Sequence, residues 1–452
     1  MALRGGFGVY HDQATLVAGN LASNPLFNLT TTVPVLALAA VVPGFSPNYP
    51  NFLPFLPPVP MFTPLFGNGS AGMVPRNLRT PYTYQYGLNW QAELNGQTVL
   101  QVGYVGTRGV KLLRGRIINF PLPFGPIPGP VTGITDRNFS VILLNEPASS
   151  SSYNSLQATL HRRFHRGLSF LANYTWSHSL DDASTLGLIG TSINGTRAAS
   201  PFPSNPNDPA AERGNSNFDV RHAFTISYAW DLPLDHLRGL DRVSEKFVKG
   251  WSIEGITNAR SGQPFTVAVG FDAAGLGDPT PFFSQRPNLV PGQPLALGDR
   301  QGPQIQLNPA AFLPPAPGRF GNLGRNTLRG PNFLQFDFGI AKRTPIGERV
   351  VSEFRVEFFN LFNHPNFASP SENALLTTVF TSPASFGRSI QTLSTANPTP
   401  SPIFAAGGPR NIQFALKFRF YFPLTPAGQR GQPLKQPERR LPRRGSPALQ
   451  NL

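Results

Sequence analysis

The chain alternates apolar and polar residues with a period of two over long stretches, and this pattern limits it to β-structure. In TYQYGLNWQAEL, Tyr84, Tyr86, Leu88 and Trp90 occupy every second position. Successive side chains of a strand point to opposite faces, so this spacing predicts a strand with one apolar and one polar face. Similar stretches recur up to residue 420. They predict about ten strands of roughly nine to fourteen residues, which is longer than the strands of most soluble sheets.

Composition narrows the classes of protein that this pattern allows. Charged residues make up 13% of the 452 residues, about half of the share in soluble domains. The chain has no cysteine, which excludes disulfides and zinc thiolate sites. Its most apolar stretch, VPVLALAAVV, is bounded by Pro34 and Pro43 and is too short for a membrane helix. A chain of this kind can span a membrane only as a β-barrel.

The connections between the predicted strands are alternately short and long. One short connection contains Asn95-Gly96, the pair preferred in type I′ turns, and another contains His165-Arg166-Gly167. Outer-membrane barrels combine short periplasmic turns with long extracellular loops. The sequence therefore predicts an all-β, transmembrane antiparallel β-barrel. The predicted extracellular loops cover about 12–79, 109–152, 181–217, 264–331 and 363–409.

In two of the predicted strands, at 350–358 and at 412–420, the charged residues occupy the polar positions. A charge that faces lipid at the membrane midplane costs about 2–4 kcal/mol, so this segregation favours a barrel. The charged residues predicted to face the lumen are Glu353, Arg355, Glu357, Lys417 and Arg419. Such a row either lines a path for a solute or forms an ion-pair network that stiffens the wall or meets a plug. We prefer the second interpretation.

Five segments of the chain, taken in order, resemble part of a known barrel. They are YNSLQATLHRRFHRGLSFLANYTWSHSLDD, ERGNSNFDVRHAFTISYAWDLP, GWSIEGITNARSGQPFTV, NPAAFLPPAPGRFGNLGRNTLRGPNFLQFDFGIAK and FRVEFFNLFNHPNF. Together they are similar to the C-terminal part of the barrel of TonB-dependent outer-membrane transporters, in the Oar-like group. The resemblance implies a partial barrel domain at 1–420, located in the bacterial outer membrane, and a role in the uptake of a large or scarce solute.

The family pattern also contains parts that this sequence does not match. Its barrels have about 22 strands around an N-terminal plug, and a TonB box couples uptake to the inner membrane. We recognise no signal peptide, plug or TonB box, because Met1 already lies at the start of a predicted strand. The chain is therefore expected to be a fragment or a reading frame with a misplaced start. The TonB system is an expected partner only if a plug is encoded upstream.

The last predicted strand, RNIQFALKFRF, carries a second resemblance. Phe414, Leu416, Phe418 and Phe420 occupy alternate positions, similar to the final strand that the barrel-assembly machinery reads in outer-membrane proteins. The resemblance implies this machinery and outer-membrane lipid as partners. Residues 421–452 are predicted to form a disordered tail rich in proline and arginine, with contact to peptidoglycan or lipid headgroups as the alternative.

No motif supports catalysis, and we expect no enzyme, no cofactor and no catalytic, cofactor-binding or metal-binding residues. GRFGNLGRNTLRG lacks the Gly-Lys-Ser/Thr of a phosphate loop and is predicted to lead into a strand. An acidic external cluster could form from Asp181, Asp182, Asp208, Glu212 and Asp219, but we predict solvated loop residues. Two alternatives stay open for the function. One is a non-transporting barrel for cell-surface adhesion or scaffolding, and the other is a soluble basic β-protein that binds nucleic acid, a partner that we do not expect.

Overall fold

The structure is a computed structural model that shows one large antiparallel sheet. It describes residues 1–12, 69–76, 78–119, 139–184, 192–193, 196–197, 202–237, 243–275, 285–297, 305–370, 379, 383–396 and 407–420. Ten strands of this part pair in chain order, each antiparallel to the next. They are β1 (Ala2–His11), β2 (Tyr82–Glu93), β3 (Thr98–Asn119), β4 (Phe139–His165), β5 (Leu168–Asp181), β6 (His222–Asp231), β7 (Trp251–Arg260), β8 (Phe333–Ile346), β9 (Val350–Phe359) and β10 (Asn411–Phe420).

The predicted all-β, mostly antiparallel architecture is confirmed. Two short strands join the sheet outside the main path: Gly69–Met73 pairs parallel with β4, and Gly214–Asn215 pairs antiparallel with β5. Within the described residues no pairing joins β1 to β10, so the sheet is open. In the same part of the chain, no helix is long and apolar enough to span a membrane.

Tight turns connect β2 to β3 and β4 to β5. Gly96 has a positive φ of 59° whereas Asn95 does not, so this turn is not the predicted type I′. Instead the side chain of Asn95 accepts a hydrogen bond from the backbone N–H of Thr98 at 3.0 Å. Arg166 and Gly167 both have positive φ, of 50° and 81°, as a type I′ turn requires. The type I′ turn is therefore the one between β4 and β5, at Arg166 and Gly167.

The hairpin of β3 and β4 is longer than the sequence indicates. Its pairing continues from Gly109 opposite Ser151 to Asn119 opposite Ile142, through three register shifts. Much of the connection predicted at about 109–152 is therefore paired strand, and residues 120–138 lie outside the described residues. The alternation fails here because Lys111 takes a positive φ of 55° and the shifts exchange the two faces.

Most of the predicted loop at 12–79 and the whole predicted tail at 421–452 lie outside the described residues. The other long connections contain short elements. The paired strands are Ser192–Ile193 with Thr196–Arg197, Pro264–Phe265 with Leu328–Arg329, Asn288–Leu289 with Phe312–Leu313, and Ala296–Leu297 with Gln306–Leu307. The helices are Pro209–Glu212, Leu234–His236, Glu245–Val248, Pro309–Ala311 and Leu393–Ala396.

The long connections beside β5 to β9 form a packed layer. We define the loop layer as the described residues between 202 and 221, between 261 and 332, and between 383 and 396. Its apolar core contains the buried residues Phe265, Val267, Val269, Ala273, Leu307, Ala311, Phe312, Leu323, Leu328 and Phe386. The rings of Phe312 and Phe386 meet edge to face with their centroids 6.2 Å apart. The described residues of the predicted loop at 264–331 are therefore largely packed structure rather than an irregular connection.

Candidate functional site

The main sheet has one apolar face, and the apolar face is exposed. On β10, Phe414 is 67% exposed and Leu416 is 61% exposed. Other large apolar residues exposed on this face are Leu3, Phe7, Leu88, Trp176, Phe224, Trp230, Phe354, Phe418 and Phe420. An exposed apolar surface that crosses a whole sheet marks contact with lipid or with another protein.

The register keeps this face continuous from strand to strand. Ile253 on β7 is paired with Ile340 on β8, Ile340 with Val356 on β9, and Val356 with Phe414 on β10. Paired residues lie on the same side of an antiparallel sheet, so the charged residues between them share the opposite side. The sheet therefore carries most of its large apolar side chains on one face and most of its charged side chains on the other.

Glu353 is the centre of an ion-pair network on the polar face. Its buried carboxylate lies 2.9 Å from Arg343 Nε, 3.1 Å from Arg419 Nη2 and 3.7 Å from Arg355 Nη1. A buried carboxylate is destabilising unless cations and hydrogen bonds compensate for its lost hydration. Three arginines on three neighbouring strands supply this compensation.

Arg355 extends the network toward β7. Its guanidinium lies 2.9 Å from Glu357 Oε1 and also pairs with the carboxylate of Glu254 on β7. Gly339 on β8 lies directly between Glu254 and Glu357 in the register, so no side chain separates the two strands there. We define the polar network as Glu254, Arg343, Glu353, Arg355, Glu357 and Arg419.

The structure brings four of the five predicted lumen-facing residues into this network. The fifth, Lys417, lies opposite Glu353 in the register of β9 and β10. The sequence prediction missed Glu254 and Arg343, although both occupy polar positions in the alternation of their strands. The lumenal orientation of this face stays a prediction. So does the assembly role of Phe414, Leu416, Phe418 and Phe420, which share the apolar face.

A cavity of about 520 Å³ lies on the polar face. It follows two neighbouring cross-strand rows, and small residues such as Ser227 and Gly339 leave it open. The polar residues that line it include His161 on β4, Glu254 on β7 and Glu357 on β9. In a flat sheet β4 and β9 would be about 24 Å apart, at roughly 4.8 Å per strand. Because six successive strands line one cavity, the sheet curves toward its polar face.

A second set of ion pairs ties the loop layer to the end of β5. The buried guanidinium of Arg325 pairs with the carboxylate of Asp181, the last residue of β5. It also donates to the backbone carbonyl of Asp181 at 2.6 Å and to that of Glu212 at 2.7 Å. Arg325 lies in the segment GRFGNLGRNTLRG, for which the sequence predicts only a connection that leads into a strand.

Two further buried carboxylates in this region have arginine partners. Both oxygens of Glu212 accept from Arg286 Nη1, at 2.7 and 2.9 Å, and Asp219 pairs with Arg329. Asp181, Glu212 and Asp219 are all buried. The prediction of solvated acids is therefore wrong for these three, because arginines far away in the sequence neutralise them, whereas Asp208 is exposed. Among the described residues no group of three or more His, Asp or Glu side chains could hold a metal ion.

Comparison with known sequences gives one family. The family described as "Outer membrane beta barrel domain" matches residues 1–413, which is most of the chain. No curated protein matches the sequence.

Solved structures give low overall similarity. The outer membrane transporter YddB from Escherichia coli has 7% identity and a TM-score of 0.36 over 78% of this chain and 34% of that chain. The pyoverdine receptor FpvA from Pseudomonas aeruginosa has 11% identity and a TM-score of 0.34 over 76% of this chain and 30% of that chain. The siderophore receptor PiuA from Acinetobacter baumannii has 9% identity and a TM-score of 0.33 over 75% of this chain and 28% of that chain. This chain thus spans about a third of their length, and similarity at this level assigns neither a function nor a ligand to it.

Proposed function

The chain belongs to the outer membrane beta barrel domain family, whose place is the bacterial outer membrane, and from this premise we propose that its main sheet is a section of barrel wall. The apolar face meets lipid, and the polar face lines the lumen. Neither alternative, a barrel for adhesion or scaffolding or a soluble protein that binds nucleic acid, is favoured by the family. The proposal includes no catalytic role.

One observation carries this proposal: across the ten strands of the main sheet, most large apolar side chains lie on one face and most charged side chains on the other. Large apolar side chains are exposed on one side, while Glu353 and its arginines are paired on the other. The sheet curves toward the polar side, as a barrel wall curves around its lumen. Lipid is the environment in which an exposed apolar surface of this extent is stable.

We further propose that these strands are part of a larger barrel of the TonB-dependent receptor type. An open sheet edge in lipid leaves backbone groups without hydrogen bonds, at a cost of several kcal/mol for each group. The edges of β1 and β10, which are unpaired among the described residues, therefore support closure by additional strands. Uptake of a large or scarce solute, coupled to the TonB system, is the role that we propose for such a barrel.

Because the natural chain has no cysteine, single introduced cysteines test the orientation of the two faces. Ala415→Cys and Ser227→Cys place a thiol on the polar face, and their neighbours Leu416→Cys and Ile226→Cys place one on the apolar face. With the protein in lipid vesicles, a hydrophilic maleimide should modify the first pair and leave the second pair unmodified. All four variants should react after unfolding in dodecyl sulfate. Equal labelling of both faces in vesicles would refute the proposed orientation.

The transport role needs its own experiment in living cells. Cells that express the gene in its natural context should accumulate the solute only while the inner membrane is energised. Deletion of the TonB protein should abolish accumulation and leave the barrel in the membrane. Accumulation that continues without TonB would contradict the proposed coupling.

A further inference from the structure

Two cationic side chains lie on the apolar face close to the short turns. Lys342 is on β8, five residues before Gly347, and Arg162 is on β4, five residues before Gly167. Lys342 is paired with Trp251 and Phe354 in the register, and Arg162 is paired with Phe170. Each cation thus lies beside aromatic side chains of the apolar face, although Arg162 also has Thr98 as its partner on β3.

The ammonium group of Lys342 has two contacts within the described residues. Its Nζ lies 5.4 Å from the centre of the Trp251 ring, and it donates to the backbone carbonyl of Lys249. The indole N–H of Trp251 donates to the carbonyl of Phe247 at 2.7 Å, and Phe247 itself is 72% exposed. No described carboxylate pairs with Lys342, so its positive charge is available to a partner outside the chain.

Arg162 has a similar environment at the turn between β4 and β5. Its Nε is buried and has no hydrogen-bond partner among the described residues. Phe164, two residues further along, is 63% exposed. Arg163 lies on the opposite face by the alternation of the strand, so the two neighbouring arginines have different surroundings.

The cost of a cation on the lipid face depends on its depth in the membrane. A lysine or arginine on the lipid face is much less costly near the membrane interface than at the midplane. The indole ring of Trp251 also prefers the level of the headgroups. A positive charge at that level attracts anionic lipid, and a phosphate can take the place of the carboxylate that neither cation has among the described residues.

We propose that Arg162 and Lys342 bind the phosphates of anionic glycerophospholipid headgroups at the short-turn end of the apolar face. The inference rests on the proposed orientation of this face toward lipid. Each cation, with its exposed aromatic neighbour, forms a site for one lipid: the phosphate pairs with the cation, and the acyl chains lie along the strands beneath it.

Lipid titration followed by native mass spectrometry tests this inference. The intact protein in detergent micelles is titrated with phosphatidylglycerol or with phosphatidylcholine, and the bound lipids are counted. The double variant Arg162→Gln/Lys342→Gln should lose affinity for phosphatidylglycerol by about fivefold for each cation removed. The control Arg163→Gln/Arg349→Gln removes the same charge from the same end of the sheet, but from outside the apolar face. It should keep the preference for phosphatidylglycerol over phosphatidylcholine.

Three outcomes would overturn the inference. One is a natural protein with no preference for phosphatidylglycerol, and another is an equal loss in the control, which would show a response to net charge alone. The third is displacement of the lipid by inorganic phosphate, which would show a site for free anions. Failure of the natural protein to insert into vesicles would instead refute the proposal that the main sheet is a section of barrel wall. Heat-dependent mobility in gels verifies that each variant is folded.

Discussion

Arg355 on β9 contacts the carboxylate of Glu254 on β7 across the intervening strand. Strands two apart in a sheet are separated by about 9.6 Å, a distance that an extended arginine and a glutamate can bridge together. The bridge requires small residues on β8. Gly339 stands beside Glu254 in the register and Ala341 beside Arg355, so the space above β8 is free for both side chains.

A large side chain at Gly339 is expected to break this bridge. A Cβ atom there would already lie 3.0 Å from Glu254 Cγ and 3.2 Å from its Oε1. Gly339→Leu should therefore lower the free energy of unfolding in vesicles by about 1–3 kcal/mol, measured by urea titration. Gly6→Leu is the matched control, because a Cβ at Gly6 meets nothing within 4 Å. Equal losses in the two variants would contradict this explanation.

Glu353 is expected to contribute more stability than Glu254. Glu353 is buried among three arginines, whereas the side chain of Glu254 is 45% exposed. Glu353→Gln removes the buried carboxylate that three partly exposed arginines share, and should cost about 1.5–3 kcal/mol, the range for hydrogen bonds to charged groups. Glu254→Gln should cost at most about 1 kcal/mol, because solvent screens its pair. The same urea titration measures both, and a larger loss for Glu254→Gln would show that burial does not control the network.

Removal of the Arg325 charge should loosen the loop layer without unfolding the sheet. Arg325→Gln leaves the buried carboxylate of Asp181 unpaired, at a cost of about 3 kcal/mol to the local structure. The amide of Asn326, which donates to Thr266 Oγ1 at 2.8 Å, should then exchange its hydrogen faster, while amides of β8 keep their protection. Arg213→Gln removes an exposed arginine and should leave the exchange unchanged. Loss of protection in β8 as well would mean that the layer and the sheet unfold together.

The end of β10 offers a test of the assembly signal. Phe420→Ala should reduce the fraction of heat-modifiable, membrane-inserted protein in cells, because the terminal aromatic residue is the one that the assembly machinery is expected to read. Ile412→Ala removes an apolar side chain from the same face at the other end of the strand and should have a smaller effect. Equal assembly of the two variants would leave Phe420 without a special role.

The strands and the polarity of their faces could be predicted from the sequence because both depend on neighbours in the chain. Alternation alone placed Glu353 and Arg355 on one face. The bridge from Arg355 to Glu254 could not be predicted, because it depends on the register of three strands. Asp181 and Arg325 are separated by 144 positions, and no local pattern indicates their contact. Lys111, with its positive φ, ended the alternation inside a strand that continues.

From β5 to β10 the strand pairing contains no register shift. Insertion of a single codon within one of these strands would reverse every side chain that follows in it, and would direct its charges toward lipid. Insertions in the long connections leave the pairing unchanged. Natural variation in the length of this gene should therefore be concentrated in the long connections, while the strands change by substitution and keep their spacing.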